Sequence, residues 1–370
     1  MSTELIFNRE DVFLKNEKTD RLFLESIKET VNFHYNNSPF YRNLCNQNNF
    51  NPSKIKKEKD IVNIPYIFVD VLKQYKLLSV PEKNIIFELA SSGTKGTVSR
   101  IMWDKLSMYR HNFMRQQSMR SLGLVSDKKA HYVMFTYDYD QSKGRGAAYA
   151  HYMYSVFAPA IDRYYALRKR KKGEDFTFDI NEAGDYLKKA AESGEPVRII
   201  GFPSFTYFTV RKLMEKHKKL PLHPESLVIN GGGWKLHTGD AILKDEYRNL
   251  LSSFFCIPES RIRDVFGMVE HGVPYISCPE GNFHELVYSK ILVRDPLTEK
   301  IMPNGSEGLL QFITPYIRSM PSFNILSSDL GYISKSKCKC GIKRPYFTIL
   351  RRAGTTLYKG CALTASEYLK

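Results

Sequence analysis

The stretch Glu88–Thr97, ELASSGTKGT, decides how the rest of this chain is read. An apolar run, Ile85–Leu89, feeds two serines, and glycines then flank a Thr-Lys pair: Ser91, Ser92, Gly93, Thr94, Lys95, Gly96, Thr97. Glycine lets a backbone turn sharply and approach a ligand closely. Hydroxyls and free N–H groups hydrogen-bond phosphate oxygens, and Lys95 supplies positive charge. The pattern predicts a phosphate-binding loop between a strand and a helix, with a polar surface turn as the plainer alternative. The Walker spacing G-x-x-x-x-G-K-[ST] is absent, so the remaining sequence has to decide between them.

Downstream, apolar and β-branched runs alternate with helical spacing. Leu106, Tyr109 and Phe113 mark the buried stripe of a helix, AHYVMFTY (Ala130–Tyr137) reads as a strand, and Asp179–Ser193 reads as a helix. PVRIIGFPSF (Pro196–Phe205), SLVINGGGWK (Ser226–Lys235) and IRDVFGMVEHG (Ile262–Gly272) are each a strand opening into a turn. Strand, glycine-bearing turn and helix in succession predict α/β layering around a largely parallel sheet, whose ligands gather at the carboxyl ends of the strands. Upstream, Phe23, Ile27, Val31 and Tyr35 recur at fourfold spacing, as one helix face requires. From residue 283 the texture changes to alternating strands joined by Asp-Pro and Asn-Gly turns.

At 370 residues the chain can bury a large core. No run approaches the ~18 apolar residues of a membrane span, and MSTELIFNREDVF carries Glu4 early without a long apolar block. No signal peptide is expected, and a cytoplasmic protein is. The formal charge of +16 favours anionic partners such as nucleotides, phosphates or carboxylates. The basic runs at Lys54–Lys59, Arg168–Lys172 and Lys216–Lys219 read as solvated loops or helix ends, and without an RNA-binding motif or zinc-finger spacing nucleic acid is not an expected partner.

Taken together, these segments resemble adenylate-forming enzymes, the acyl-CoA ligases, phenylacetate-CoA ligases and relatives, over roughly residues 85–361. SSGTKG (Ser91–Gly96) is similar to their phosphate loop, with Lys95 where a small or hydroxyl residue is usual. GGGWK, with Gly231, Gly232, Gly233 and Trp234, resembles the adenine-side segment. FGMVE resembles the segment that begins with an aromatic residue and glycine, here Phe266 and Gly267, and ends in a magnesium-binding Glu, here Glu270. SSDLG (Ser327–Gly331) resembles the segment whose Asp, here Asp329, binds the ribose hydroxyls. LRRAG (Leu350–Gly354) resembles the hinge, where Arg352 matches while Arg351 and Gly354 replace Gly and Asp.

The resemblance implies ATP and Mg²⁺ as cofactors, and attack of a carboxylate on the α-phosphate to give acyl-AMP and pyrophosphate. It implies the large N-terminal domain of an adenylate-forming enzyme, layered sheets with helices, then a β-rich distal lobe and a truncated C-terminal domain. The expected divisions are a helical region over 1–84, the α/β core over 85–282, the distal lobe over 283–350 and a stub over 351–370. Such chemistry needs positioning and electrostatic stabilisation more than covalent help. Glu270 suits Mg²⁺ through oxygen, and Asp329 can accept two O–H groups.

The tail, RRAGTTLYKGCALTASEYLK, is similar to the end of the acyl-protein synthetases of bacterial luminescence systems, and HYNNSPFYRNLC and INGGGWK resemble that family too. The family is a set of long-chain-fatty-acid–protein ligases working with a fatty-acid reductase. The resemblance implies that Cys361 takes the acyl group as a thioester and passes it to a partner reductase subunit. A thiolate is a good nucleophile toward an activated acyl group, and Arg351, Arg352 and Lys359 would favour thiolate if near it. The larger ligases use a lysine of a full C-terminal domain for adenylation; here Lys359, Lys95 or a partner would take that part.

Cys278, His284, Cys338 and Cys340 form a second constellation, C-x5-H followed by C-x-C-G on a turn. Cys and His are the ligands zinc prefers, and four suit a closed structural site; unmetallated turn cysteines are the alternative. Cys45 and Cys256 are expected to be buried spectators. His271 either lines the site or is an ordinary histidine. GFPSF (Gly201–Phe205), with Tyr207 and Phe208, lies where family members line the carboxylate substrate, and an apolar wall suits a fatty or aromatic acid.

An ATP-dependent acyl-protein synthetase activating a fatty acid is therefore the leading expectation. The alternatives are a ligase that transfers acyl to coenzyme A or a carrier protein, a non-catalytic nucleotide- or acyl-binding subunit, and a nucleic-acid binder resting only on charge.

Overall fold

Ala130–Tyr137 forms a strand at the bounds its sequence predicts, in the middle of a parallel sheet. The computed structural model describes residues 1–90, 99–142, 144–171, 173–234 and 242–353. It divides into two compact units, Met1–Ser121 with Gly267–Tyr275 and Asn282–Lys370, and Leu122–Phe266 with Ile276–Gly281.

In the second unit the neighbouring strands are, in order, Ile262–Phe266, Leu227–Gly231, Val197–Gly201, Ala130–Tyr137 and Ala160–Arg168, all parallel. Thr177–Phe178 adds an antiparallel edge. Val197–Gly201 is buried at every position, as a strand covered on both faces must be, which explains runs such as RIIG and LVIN that do not alternate. Ile199, Val228 and Phe135 from the sheet share one core with Leu187, Val210, Leu251 and Phe255 from helices. Those helices are Ile180–Glu192, Pro203–Met214 and Lys244–Phe255. Asp179 caps the first by accepting from the Asn181 and Glu182 N–H groups, and Pro203 opens the second, where a missing N–H costs nothing. Cys256 follows the third as an exposed residue at φ 54°, not the buried spectator expected of it.

The first unit holds an antiparallel sheet in the order Phe283–His284, Tyr346–Arg352, Asn324–Ile333, Gly308–Ile313, Lys290–Arg294, with Ile67–Phe68 parallel to Asn324–Ile333. The long N-terminal helix, Glu17–Asn37, starts at a capping box between Asn16 and Thr19 and buries Phe23, Ile27 and Val31.

Two expectations need correction in this unit. The helix Lys105–Ser121 buries Ser107, Arg110, His111, Met114, Arg115 and Ser118, while Tyr109 is exposed. The helical period holds, but the buried face lies one residue further on, about 100° of rotation. Two groups of this polar inward face have partners across the fold: Arg110 donates to the Tyr316 carbonyl at 3.3 Å, and Ser107 Oγ accepts from the Arg318 N–H at 2.8 Å. Second, Ser91–Thr97 was expected between a strand and a helix. Ile85–Ala90 instead pairs antiparallel with Arg100–Asp104, Ala90 opposite Arg100, so the stretch connects two strands.

Candidate functional site

Gly231 lies opposite Val265 on neighbouring parallel strands, so GGGW and Phe266 leave the sheet side by side at its carboxyl edge. Gly232 and Gly233 sit at φ 79° and 67°, a region that favours glycine. A Cβ on Gly231 would come 3.1 Å from His151 Nε2, and His151 Nδ1 is 2.8 Å from Thr136 Oγ1. The Trp234 ring packs edge-on to Tyr207 at 5.4 Å and to Tyr247 at 6.1 Å. Tyr247 donates to Asn230 Oδ1 at 3.0 Å, which leaves the buried Asn230 amide nitrogen without a partner among the described residues. Within GFPSF, Phe202 is fully buried and Phe205 only partly so, as is Tyr207 just beyond it.

Glu270 belongs to the first unit, in a turn closed by the His271 and Gly272 N–H groups donating to the Met268 carbonyl at 3.2 and 2.8 Å. It is largely buried. Gly272 fixes the turn: its φ is 72°, and a Cβ there would fall 2.0 Å from the Tyr316 hydroxyl oxygen. His271 is buried, stacked on Tyr275 and tilted against Phe312, and is pushed down to about 3 by burial.

In the same unit Asp329 and Arg352 are register partners on adjacent strands, with Arg352 Nε 3.4 Å from Asp329 Oδ1. Burial pushes the Asp329 carboxyl above the usual carboxylate range, and the Arg352 guanidinium opposes that shift. A desolvated carboxylate with one exposed cationic partner retains capacity to accept hydrogen bonds from hydroxyl groups. Arg351, its neighbour, pairs instead with Glu307 at 2.6 Å.

The Cys/His constellation comes together. The ligand atoms of Cys278, His284, Cys338 and Cys340 lie within 4.8 Å of one another. Cys340 Sγ is 3.3 Å from His284 Nε2. His284 Nδ1 is 2.8 Å from the Arg344 carbonyl, which only accepts, so Nδ1 carries the proton and Nε2 keeps its lone pair toward the sulfur. Asn282 Nδ2 donates to Cys338 Sγ at 3.2 Å, a contact that favours thiolate. Three sulfurs and one imidazole nitrogen, with supporting hydrogen bonds, fit a tetrahedral zinc ion.

The phosphate-loop residues Ser91, Ser92, Gly93, Thr94, Lys95 and Gly96, together with Cys361 and Lys359, lie outside the described residues. Sequence reasoning missed the Gly272–Tyr316 contact, His151 beneath Gly231, and the support that Asn282 and Arg344 give the Cys/His group. The glycine that follows Glu270 and His271 was the one visible signal among these.

The comparisons with known proteins define the chain as an acyl ligase of the adenylate-forming superfamily. A crystal structure of an open conformation of 2-hydroxyisobutyryl-CoA ligase, in complex with 2-HIB-AMP and CoA, aligns with a TM-score of 0.67 over 92% of this chain and 76% of that one, at 15% identity. That likeness establishes the fold. The family model described as acyl-protein synthetase, LuxE, matches residues 2–370, and the chain belongs to that family. It is 26% identical over 347 residues to the long-chain-fatty-acid–luciferin-component ligase of Vibrio harveyi, covering 92% of this chain and 86% of that one. The Aliivibrio fischeri ligase of the same name is 25% identical, with 93% and 88% covered. A phenylacetate-coenzyme A ligase from Thermus thermophilus is 24% identical, with 89% and 68% covered. The protein is thus an ATP-dependent acyl ligase. Among the described residues no helix is long and apolar enough to cross a membrane.

Proposed function

We propose that this protein activates a long-chain fatty acid as its acyl-adenylate and then carries the acyl group on Cys361 for delivery to a partner protein of the fatty-acid reductase kind. In the first step a carboxylate oxygen attacks the α-phosphorus of ATP, the bond to the bridging oxygen breaks, and pyrophosphate leaves. In the second the Cys361 thiolate attacks the acyl carbonyl, AMP leaves, and a thioester remains. Ser91–Thr97, with Lys95, grips the departing pyrophosphate. Gly231–Trp234 and Phe266–Gly267 border the adenine. Asp329 takes the ribose hydroxyls, and Arg352 holds Asp329 ionised. Glu270 is the residue that would hold Mg²⁺, which when bound offsets charge on the phosphate oxygens. Cys278, His284, Cys338 and Cys340 hold a structural zinc.

The observation that carries this reading is the Asp329–Arg352 pair. A residue expected at the ribose and one expected in the hinge segment share one cross-strand contact, and the carboxylate is kept desolvated with spare accepting capacity. The luciferin-component ligases named above support a long-chain acid as substrate. Transfer to coenzyme A is the second reading, favoured by the likeness to phenylacetate-coenzyme A ligase.

Exchange of labelled pyrophosphate into ATP tests the first step. Exchange that depends on a long-chain fatty acid and drops out in Asp329→Ala is the expected result. No exchange with fatty acids or phenylacetate would refute acyl-adenylate formation by this chain. Acyl-CoA production at a rate matching exchange would favour the second reading.

A further inference from the structure

Arg344 touches the Cys/His group and the start of the long N-terminal helix at once. Its carbonyl accepts from His284 Nδ1 at 2.8 Å, which aims Nε2 at Cys340. Its guanidinium, almost wholly buried, donates twice to the Leu14 carbonyl, at 3.1 Å from Nε and 2.7 Å from Nη2. Nη2 also lies 3.4 Å from Thr19 Oγ1, and Thr19 is half of the capping box that starts the Glu17–Asn37 helix. Two further contacts seat the same segment on the same place. The Val287 N–H donates to the Val12 carbonyl at 2.8 Å, and the Phe13 ring stands edge-on to His284 at 6.2 Å.

These contacts divide the labour within one residue. A buried guanidinium must find acceptors, and here it finds backbone and hydroxyl oxygens of the N-terminal segment. Fixing the guanidinium fixes the Arg344 backbone, and that backbone holds the histidine tautomer a metal needs. Conversely, an ion drawing His284 and Cys340 together fixes the turn that leads to Arg344. The short strand pair reinforces this, since His284 faces Tyr346 and the Glu285 N–H donates to the Pro345 carbonyl at 2.9 Å.

We propose that Arg344 is the positioning residue of the metal centre and clamps the N-terminal segment Val12–Thr19 to it, so that metal binding and seating of that segment stabilise each other. The inference rests on the zinc reading of the four ligands. By linkage, the coupling is the same in both directions.

The test uses the full chain, stripped with a chelator and then reloaded with zinc. Amide hydrogen exchange is followed over residues 12–20 and, as a reference, over the second-unit strand 197–201. Zinc affinity is measured by competition with a chromophoric zinc indicator. Stripping should speed exchange in residues 12–20 by about tenfold or more and leave 197–201 unchanged, with zinc restoring protection. Arg344→Met, which keeps the apolar stem, should weaken zinc binding by about 10–100-fold, the usual cost of losing a residue that supports a metal ligand. Arg344→Lys should recover part of that loss. Unchanged protection on stripping, or wild-type zinc affinity in Arg344→Met, would overturn the coupling while leaving the zinc site standing. Failure of the wild-type chain to bind zinc at all would overturn both. Because stripping and reloading use the natural chain, the proposal stays testable even if Arg344→Met fails to fold.

Discussion

Arg352 Nε lies 3.4 Å from Asp329 Oδ1, across two antiparallel strands on which the two residues are register partners. The contact is unequal: Asp329 is buried, whereas the Arg352 side chain is 77% exposed. The protein keeps a carboxylate out of water with an exposed counter-charge in contact, which is a poor arrangement for stability and a useful one for a ligand carrying hydroxyl groups.

Asp329→Asn separates those two roles. Burial raises the folded-state pKa of Asp329, so its contribution to stability is present at low pH and lost as pH rises through that folded value. Asn cannot ionise and escapes the loss. The variant should therefore show a higher urea midpoint than the parent at pH 8, with the two converging below about pH 3.9, the unfolded value. Its pyrophosphate exchange should fall at least about tenfold, ~1.4 kcal/mol of transition-state stabilisation. Lower stability at pH 8 would argue that the carboxylate is structural.

Gly272→Ala should disturb Glu270 without touching it. The added carbon would sit 2.0 Å from the Tyr316 hydroxyl at a backbone φ of 72°, so the turn must move. Overpacking of this kind costs about 1–3 kcal/mol. Removing the hydroxyl with Tyr316→Phe in the same chain should relieve only part of it, because the backbone strain remains. The expected kinetic mark is a raised Mg²⁺ requirement for exchange; an unchanged requirement would separate Glu270 from the metal.

His34 predicts part of the pH dependence. Its Nε2 donates to the Ile317 carbonyl at 3.1 Å, its Nδ1 accepts from Ser79 Oγ at 2.7 Å, and it stacks on Phe323. Burial pushes the ring down to about 3. The folded state therefore keeps His34 neutral while the unfolded chain takes up a proton. The stability it contributes is full above pH ~6.5 and is lost at about 1.4 kcal/mol per pH unit as pH falls toward 3. Unfolding at pH 5.5 should take up one proton fewer in His34→Gln than in the parent, as calorimetry in two buffers would show. Equal uptake would mean that His34 is charged in the folded chain.

Much of this was legible in the sequence, and the misses have physical causes. Phe23, Ile27 and Val31 gave the N-terminal helix face because one apolar stripe meets one core. Leu106, Tyr109 and Phe113 gave the period of the next helix but the wrong face, since Arg110 goes inward to the Tyr316 carbonyl and His111 to the Trp103 and Tyr316 rings, partners that only the tertiary fold supplies. Cys278, His284, Cys338 and Cys340 could be grouped by ligand chemistry alone. Arg344 could not, because its role depends on a carbonyl and on Leu14, 330 positions away in the chain. Gly272 was visible as a glycine, but its reason, Tyr316, was not.

Cys340→Ser should reduce bound zinc from about one equivalent to well under half, and should lower the thermal midpoint of the natural chain by about as much as chelation does. Zinc content unchanged by the substitution would remove Cys340 from the ligand set.

On the proposed function, the acyl group made at the adenylating site comes to rest on Cys361. Incubation of the chain with labelled long-chain fatty acid and ATP, followed by hydroxylamine treatment, tests it most directly. The expected result is a protein-bound label that hydroxylamine releases and that Cys361→Ser abolishes, while pyrophosphate exchange continues in that variant. A label that survives the substitution, or one that never forms although exchange proceeds, would contradict it.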